Sequence, residues 1–290
     1  MNLILAIITR LFVLFFALIP FWLLYIIADI LCFILHRVFR YRLTVVRSNL
    51  HKSFPEKSEK EIKRIEKLFY QNLSQIMVES LKAFTMSKKQ ILKRHKIINL
   101  DDVSDLYDDK YGGIIALPCH YGNWEWGAMS CRHLAWDPIA FYKPLSNIYL
   151  DKYIKNNRSR IGTELVSIFE TARCFVNNKD KHKIYVMASD QSPSNKAKSI
   201  WVKFMGIETA FLHGPEFYSK KYNYPAVFVD IQRVRKGYYE LELTTLADNP
   251  SELPPGELTK LYANKLEEII RIRPENWLWS HKRWKLTKDN

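Results

Sequence analysis

The chain has 290 residues, enough to bury a sizeable core as one α/β domain instead of two small ones. Its 44 Lys and Arg against 30 Asp and Glu leave a formal charge of +14, which favours acidic partners: nucleic acid, anionic lipid headgroups or an acidic carrier protein. The 4 cysteines show no Cys-x-x-Cys spacing, so they give neither a zinc site nor a disulfide framework and fit a reducing compartment.

Residues 11–28 are an uncharged apolar run of 18 positions. As one helix it rises roughly 27 Å, enough for the hydrocarbon core of a bilayer. It reads as a single membrane-spanning helix, kinked at Pro20, with an interfacial helix as the alternative. A signal peptide fits less well, because the run is long and no small-residue cleavage site follows. Arg37, Arg40, Arg42, Arg47 and Lys52 follow it, whereas Arg10 alone precedes it, so the positive-inside rule puts the remainder in the cytoplasm. The expected division is an anchor over 1–36 and a cytoplasmic α/β domain over 37–290. The membrane, and not nucleic acid, is then the acidic partner.

After the anchor, Ser58–Thr85 carries apolar residues at three- and four-residue spacing and predicts one long helix. From Gly112 onward short β-rich runs alternate with helical patterns. Strands are expected at 113–118, 138–142, 183–188 and 225–233, the last paired with 238–246 across Arg235-Lys-Gly237. Helices are expected at 123–134, 147–160, 167–178, 212–221 and 257–272. That alternation predicts an α/β fold: a mostly parallel mixed sheet flanked by helices, behind the N-terminal membrane helix.

The run Gly113–Cys119 ends in His120-Tyr-Gly-Asn-Trp-Glu125. Residues five apart on a regular helix point about 140° apart, so His120 and Glu125 meet only if the histidine precedes the helix. Gly122 and Asn123 supply the turn and cap. Glu125 would then orient the imidazole, and the pair would serve as a general base for a hydroxyl attacking a carbonyl, with the helix N-terminus facing the oxyanion. Taken alone, the motif fits a helix-capping histidine and a surface carboxylate better than it fits a catalytic pair. Asp190 follows the apolar strand Ile184–Ala188 and falls at a strand end, where α/β sites collect, with Gln191 beside it. Cys119 should point away from His120, into packing. No histidines stand at metal-ligand spacing, so neither metal nor cofactor is expected.

Six ordered blocks resemble the bacterial lipid A biosynthesis acyltransferase family. They are Arg47-Ser-Asn-Leu-His-Lys-Ser-Phe-Pro-Glu56; Gly113 through His120-Tyr-Gly-Asn-Trp-Glu125; Phe141-Tyr-Lys-Pro-Leu145 with Asn147; Arg158-Ser159; Asp190-Gln191 followed by Phe204-Met-Gly206; and Pro274-Glu-Asn-Trp-Leu-Trp-Ser-His-Lys-Arg-Trp-Lys285. The resemblance implies a glycerolipid-acyltransferase-like fold at the bacterial inner membrane. It also implies transfer of a fatty acyl chain from acyl carrier protein or acyl-CoA to a hydroxyl of a lipid A precursor. It gives His120 as general base, Glu125 as its partner, and Asn123, Lys143, Arg158, Asp190 and Gln191 as substrate-binding positions. Lys143 stands where the family carries arginine, which keeps the charge but loses bidentate recognition. That departure, with Ser192–Lys196, leaves open a different glycolipid or aminolipid acceptor; a non-catalytic tether for anionic lipid is the other reading. Lys196, Lys198, Lys203, Arg132, Lys152, Lys155 and Arg160 could face headgroups or the carrier, with a solvated surface the default for each. Trp201, Trp277, Trp279 and Trp284 fit a membrane-facing rim, the middle two fitting core packing as well. His281 matches the family terminus without an evident role.

Overall fold

The computed structural model describes residues 2–108, 110–131 and 134–288. Arg132, one of the basic residues singled out above, and part of the helix expected over 123–134 lie outside them. The N-terminal run does not form one helix over 11–28. Helix α1 (Asn2–Leu18) stops before Pro20, and α2 (Phe21–Phe33) starts after it, continuing through a π turn at Ile34–Val38. Proline has no N–H to continue the ladder, and Lys82 makes the break durable. Its Nζ donates to the carbonyls of Phe16, Ala17 and Ile19 at 3.3, 2.6 and 2.7 Å. Among the described residues, the stretch long and apolar enough to cross a membrane is Phe21–Val38.

Helix α3 (Leu43–Ser53) leads to α4 (Glu59–Ala83), where a Ser58/Glu61 capping box starts the helix as the apolar spacing requires. Leu24 and Ala28 of α2 pack with Val78 of α4, so the N-terminal helices are seated on the body. A short helix α5 (Lys88–Arg94) and strand β1 (His95–Ile97) precede a 3₁₀ segment, Leu100–Tyr107. Then come β2 (Gly113–Pro118), α6 (Trp124–Ser130), β3 (Asp137–Tyr142), α7 (Ile148–Ser159), β4 (Glu164–Ser167), α8 (Thr171–Asn177) and β5 (Lys183–Val186). A separate hairpin, β6 (Ser199–Phe204) with β7 (Ile207–Leu212), is followed by α9 (Gly214–Tyr222), β8 (Ala226–Arg235), β9 (Tyr238–Ala247) and α10 (Glu257–Ile272).

Seven strands form one mixed sheet in the order β1-β9-β8-β2-β5-β3-β4, every pair parallel except β8 with β9. The expected sheet class holds, and the short strands β1 and β4 and the β6/β7 hairpin are additions. Period-two alternation divides β2 between two layers. Ile115, Leu117 and Cys119 enter the main core with α3, α4 and α10, while Ile114 and Ala116 face the 3₁₀ segment. Between β2 and β5 the register is Gly113↔Lys183 through Ala116↔Val186. This constant offset decides the site.

Candidate active site

Continuing the β2/β5 register past the strand ends brings His120 beside Asp190. The imidazole Nδ1 lies 2.7 Å from Asp190 Oδ1, and the His120 backbone N–H donates to Oδ2 at 2.9 Å. The indole Nε1 of Trp277 donates to Oδ2 as well, at 2.9 Å. Asp190 is 1% exposed, behind the histidine. It is therefore the group hydrogen-bonded to the imidazole, and it does not itself line the cavity. Burial pushes the Asp190 carboxyl up, but the His120 imidazole and the donors around it outweigh that and hold it at about 2. Burial likewise pulls His120 down, while Asp190, with a smaller push from Glu125, raises it above its ordinary 6.5.

Glu125 does not orient His120. It pairs with the Arg158 Nη2 group, and both side chains line the cavity that His120 opens into. The reason is the start of α6 at Trp124: the first turn carries Glu125 toward Arg158 of α7, while the Trp124 ring lies 5.4 Å from the imidazole. Asn123, like Asp190, does not line the cavity. It is fully buried, its Oδ1 accepts from Trp126 N at 3.2 Å as the helix cap, and its Nδ2 donates to Glu79 at 2.7 Å. The cap occupies one of the first-turn helix donors, the Trp126 N–H. Gln191 does face the site, with its Nε2 3.1 Å from His120 Nε2. With Nδ1 donating to Asp190, Nε2 carries the lone pair and accepts from that amide. Lys143 lies exposed on the cavity lining.

The turn itself is pinned by the C-terminal segment. Gly122 N donates to Asn276 O at 3.2 Å, Leu278 N donates to His120 O at 3.1 Å, and Tyr121 bridges to Trp277. Gly122 adopts φ +60°, and a Cβ there would collide with the Ile231 carbonyl oxygen, so only glycine fits. Trp277 and Trp279 are core, and Trp284 packs on Phe204 while donating to Thr209 Oγ1 at 2.9 Å, so these three do not form a membrane rim. His281 gains a role: its Nε2 accepts from Ser192 N at 2.9 Å, fixing the chain just after Gln191. Burial holds His281 down at about 4, so it stays the neutral acceptor. Asn49 donates to the carbonyls of Trp279 and His281, both at 2.8 Å. Blocks far apart in sequence thus meet around one turn. Cys119 is 1% exposed in the core and its thiol is pushed well up by burial, so it offers no thiolate. Arg160 is tied to the Ala83 carbonyl at 2.6 Å; Lys152, Lys155, Lys198 and Lys203 are solvated.

His120 stands at a cavity of about 610 Å³ that runs along the Ile114/Ala116 face of the sheet. Away from the histidine its walls are apolar, with Val103, Leu106, Val227 and Leu243 among them. Such a space suits a long hydrocarbon, not a sugar or a nucleotide. Among the described residues no group of three or more His, Cys, Asp or Glu could hold a metal ion.

Residues 3–286 match the family model described as bacterial lipid A biosynthesis acyltransferase. The chain is 22% identical to the lipid A biosynthesis lauroyltransferase of Escherichia coli K12 over 253 residues, covering 86% of this chain and 81% of that one. It is 23% identical over 266 residues to the lipid A biosynthesis palmitoleoyltransferase of the same organism, covering 88% and 85%. A lipid A biosynthesis acyltransferase of Shigella flexneri matches to the same extent, 23% over 266 residues with 88% and 85% covered.

Proposed function

The chain belongs to the bacterial lipid A biosynthesis acyltransferase family, and from that premise we propose that it moves a fatty acyl chain from an acyl thioester to a hydroxyl of a lipid A precursor. The carrying observation is the His120–Asp190 pair at the mouth of an apolar cavity. The acyl chain lies in the cavity with its thioester carbonyl near His120. The acceptor hydroxyl displaces the Gln191 amide from Nε2, and the imidazole takes its proton while Asp190 stabilises the imidazolium. The oxygen attacks the carbonyl carbon, the C–S bond breaks, and the thiol leaves with the proton returned from His120. Arg158, beside Glu125, supplies positive charge for the oxyanion. Glu125 acts by holding Arg158 and by adding negative potential at the imidazole. The donor is acyl carrier protein or acyl-CoA, and the +14 charge of the chain suits either acidic thiol carrier.

The reading includes the membrane. Residues 1–36 form the anchor, with outward apolar faces such as Leu11, Phe15, Trp22 and Ile30 left exposed, and the body over 37–290 lies on the cytoplasmic side of the inner membrane. The cavity rim is itself apolar and open to the outside: Ile168 and Leu212 line it while exposed, and the adjoining Phe169 is 79% exposed. An acceptor lipid would reach His120 without leaving the bilayer. The test is transfer of labelled acyl groups by the full chain in detergent, from acyl carrier protein or acyl-CoA to an under-acylated lipid A precursor. Transfer that disappears in His120→Ala supports the assignment. Transfer retained by that variant, or none to any lipid hydroxyl, overturns it.

A further inference from the structure

Glu79, about one turn from the C-terminal end of α4, is 0% exposed and lies outside the cavity lining, yet it gathers donors from across the fold. Its Oε1 accepts from the Tyr25 hydroxyl of α2 at 2.8 Å. Its Oε2 accepts from Asn123 Nδ2 of the catalytic turn at 2.7 Å and from the Tyr239 hydroxyl of β9 at 2.6 Å. Arg233 Nη2 of β8 stands 3.9 Å from Oε2 and donates to the Tyr239 hydroxyl at 2.6 Å. The main-chain carbonyl of Glu79 accepts from Trp126 Nε1 at 3.1 Å. A buried carboxylate is tolerated only when its oxygens are met in this way, and each partner is then fixed in direction as well as distance.

We propose that Glu79 is a positioning residue that ties the N-terminal helix pair to the turn carrying His120, so that the docking of α2 sets the geometry of the catalytic base. The turn is clamped from two sides. The C-terminal segment holds Tyr121 and Gly122, as described above. Glu79 holds Asn123, three residues beyond His120, whose other amide atom caps α6. The clamp reaches α2 through Tyr25, one turn beyond the Pro20 break, while Lys82, three residues along α4, grips the end of α1. Adjacent polar side chains of a single helix therefore hold both N-terminal helices. The anchor is part of the catalytic frame and not a detachable tether.

The test uses the full chain with Tyr25→Phe, which keeps the ring and removes one donor, and Glu79→Gln, which keeps the shape and sets an amide donor against at least one of the donors that meet the carboxylate. Hydrogen exchange is read at the amides of 121–127, with those of α10 as control. The expected result in Tyr25→Phe is exchange about tenfold faster at the turn and unchanged in α10, with vesicle binding intact. The kinetic arm rests on the acyltransferase reading. There kcat falls roughly 10- to 100-fold in Glu79→Gln with KM within about twofold, as small displacements of a base produce. Tyr25→Phe lowers kcat about fivefold, and that loss vanishes in the Glu79→Gln background, as coupled sites require. A Tyr25→Phe chain with wild-type exchange at the turn and wild-type kcat overturns the proposal, whatever Glu79→Gln does. If the wild-type chain transfers no acyl group, the functional reading has failed and the exchange arm still decides this one. If Glu79→Gln does not fold, Tyr25→Phe carries the test alone.

Discussion

Replacing Asp190 by asparagine separates the partner found in the structure from the one the motif spacing suggested. Three donors point at the carboxylate: His120 Nδ1, His120 N and Trp277 Nε1. An asparagine offers one acceptor oxygen, and its NH₂ must oppose at least one of them. If the amide donates to Nδ1, the histidine proton moves to Nε2 and the base presents no lone pair to the acceptor hydroxyl. The expected loss in kcat is on the order of 10²–10⁴-fold, the range that acid–base assistance supplies.

The pH profile sharpens the test. His120 is raised above 6.5 in the wild type, so kcat/KM should climb with a midpoint above that value. In Asp190→Asn the midpoint should fall, since burial then acts without its counter-charge. Stability gives an independent reading. Asp190 is held at about 2 in the folded chain, against an ordinary 3.8, a difference worth about 2 kcal/mol. Because the folded value is depressed, that stabilisation is present above the unfolded value and is lost as pH falls from about 4 through about 2. The raised His120 reports the same interaction from the other side. Its share is complete below 6.5 and fades as pH rises through the folded value, so the two are not added. Denaturant titrations across these windows, with assays of acyl transfer, measure both. An Asp190→Asn chain with wild-type kcat and an unmoved midpoint would refute the dyad.

Other outcomes follow from the same geometry. Glu125→Gln should lower kcat/KM by loosening Arg158, yet move the pH midpoint less than Asp190→Asn does; an equal shift in the midpoint would return Glu125 to the role of imidazole partner. Ala116→Leu should shorten the preferred acyl donor. Ala116 lies on the cavity face of β2 four residues before His120, and displacing about three methylenes at ~0.8 kcal/mol each gives roughly a 50-fold shift in kcat/KM between long and short chains. Unchanged chain-length preference would place the hydrocarbon elsewhere. Phe169→Asp should weaken transfer to an acceptor embedded in anionic vesicles about tenfold and leave transfer to a detergent-dispersed acceptor intact; equal effects in both would show that the rim does not meet the bilayer.

Much of this protein is legible along the chain. The long amphipathic helix α4, the strands on either side of the site, the His120 turn with its obligatory Gly122 and the core position of Cys119 all follow from local periodicity and turn chemistry. The ordered motif blocks carry the family. Local patterns fail wherever an outcome depends on which segments lie side by side. Pro20 reads as a kink, but whether the run bends or breaks is settled by Lys82 of α4 reaching the freed carbonyls. Glu125 looks like the partner of His120 because it is near in sequence, and Asp190, 70 residues away, reads as a substrate-binding position at a strand end and not as the imidazole's partner. Parallel pairing of β2 with β5 reverses that order, since their register carries the same offset from Gly113↔Lys183 to the strand ends. Glu79 gives no sign in the sequence at all, being one carboxylate among many on a charged helix. Its three donors come from elements that only the folded chain assembles. Periodicity reports which face of an element is apolar; hydrogen bonds between distant strands and helices, satisfied only on folding, decide which polar groups meet.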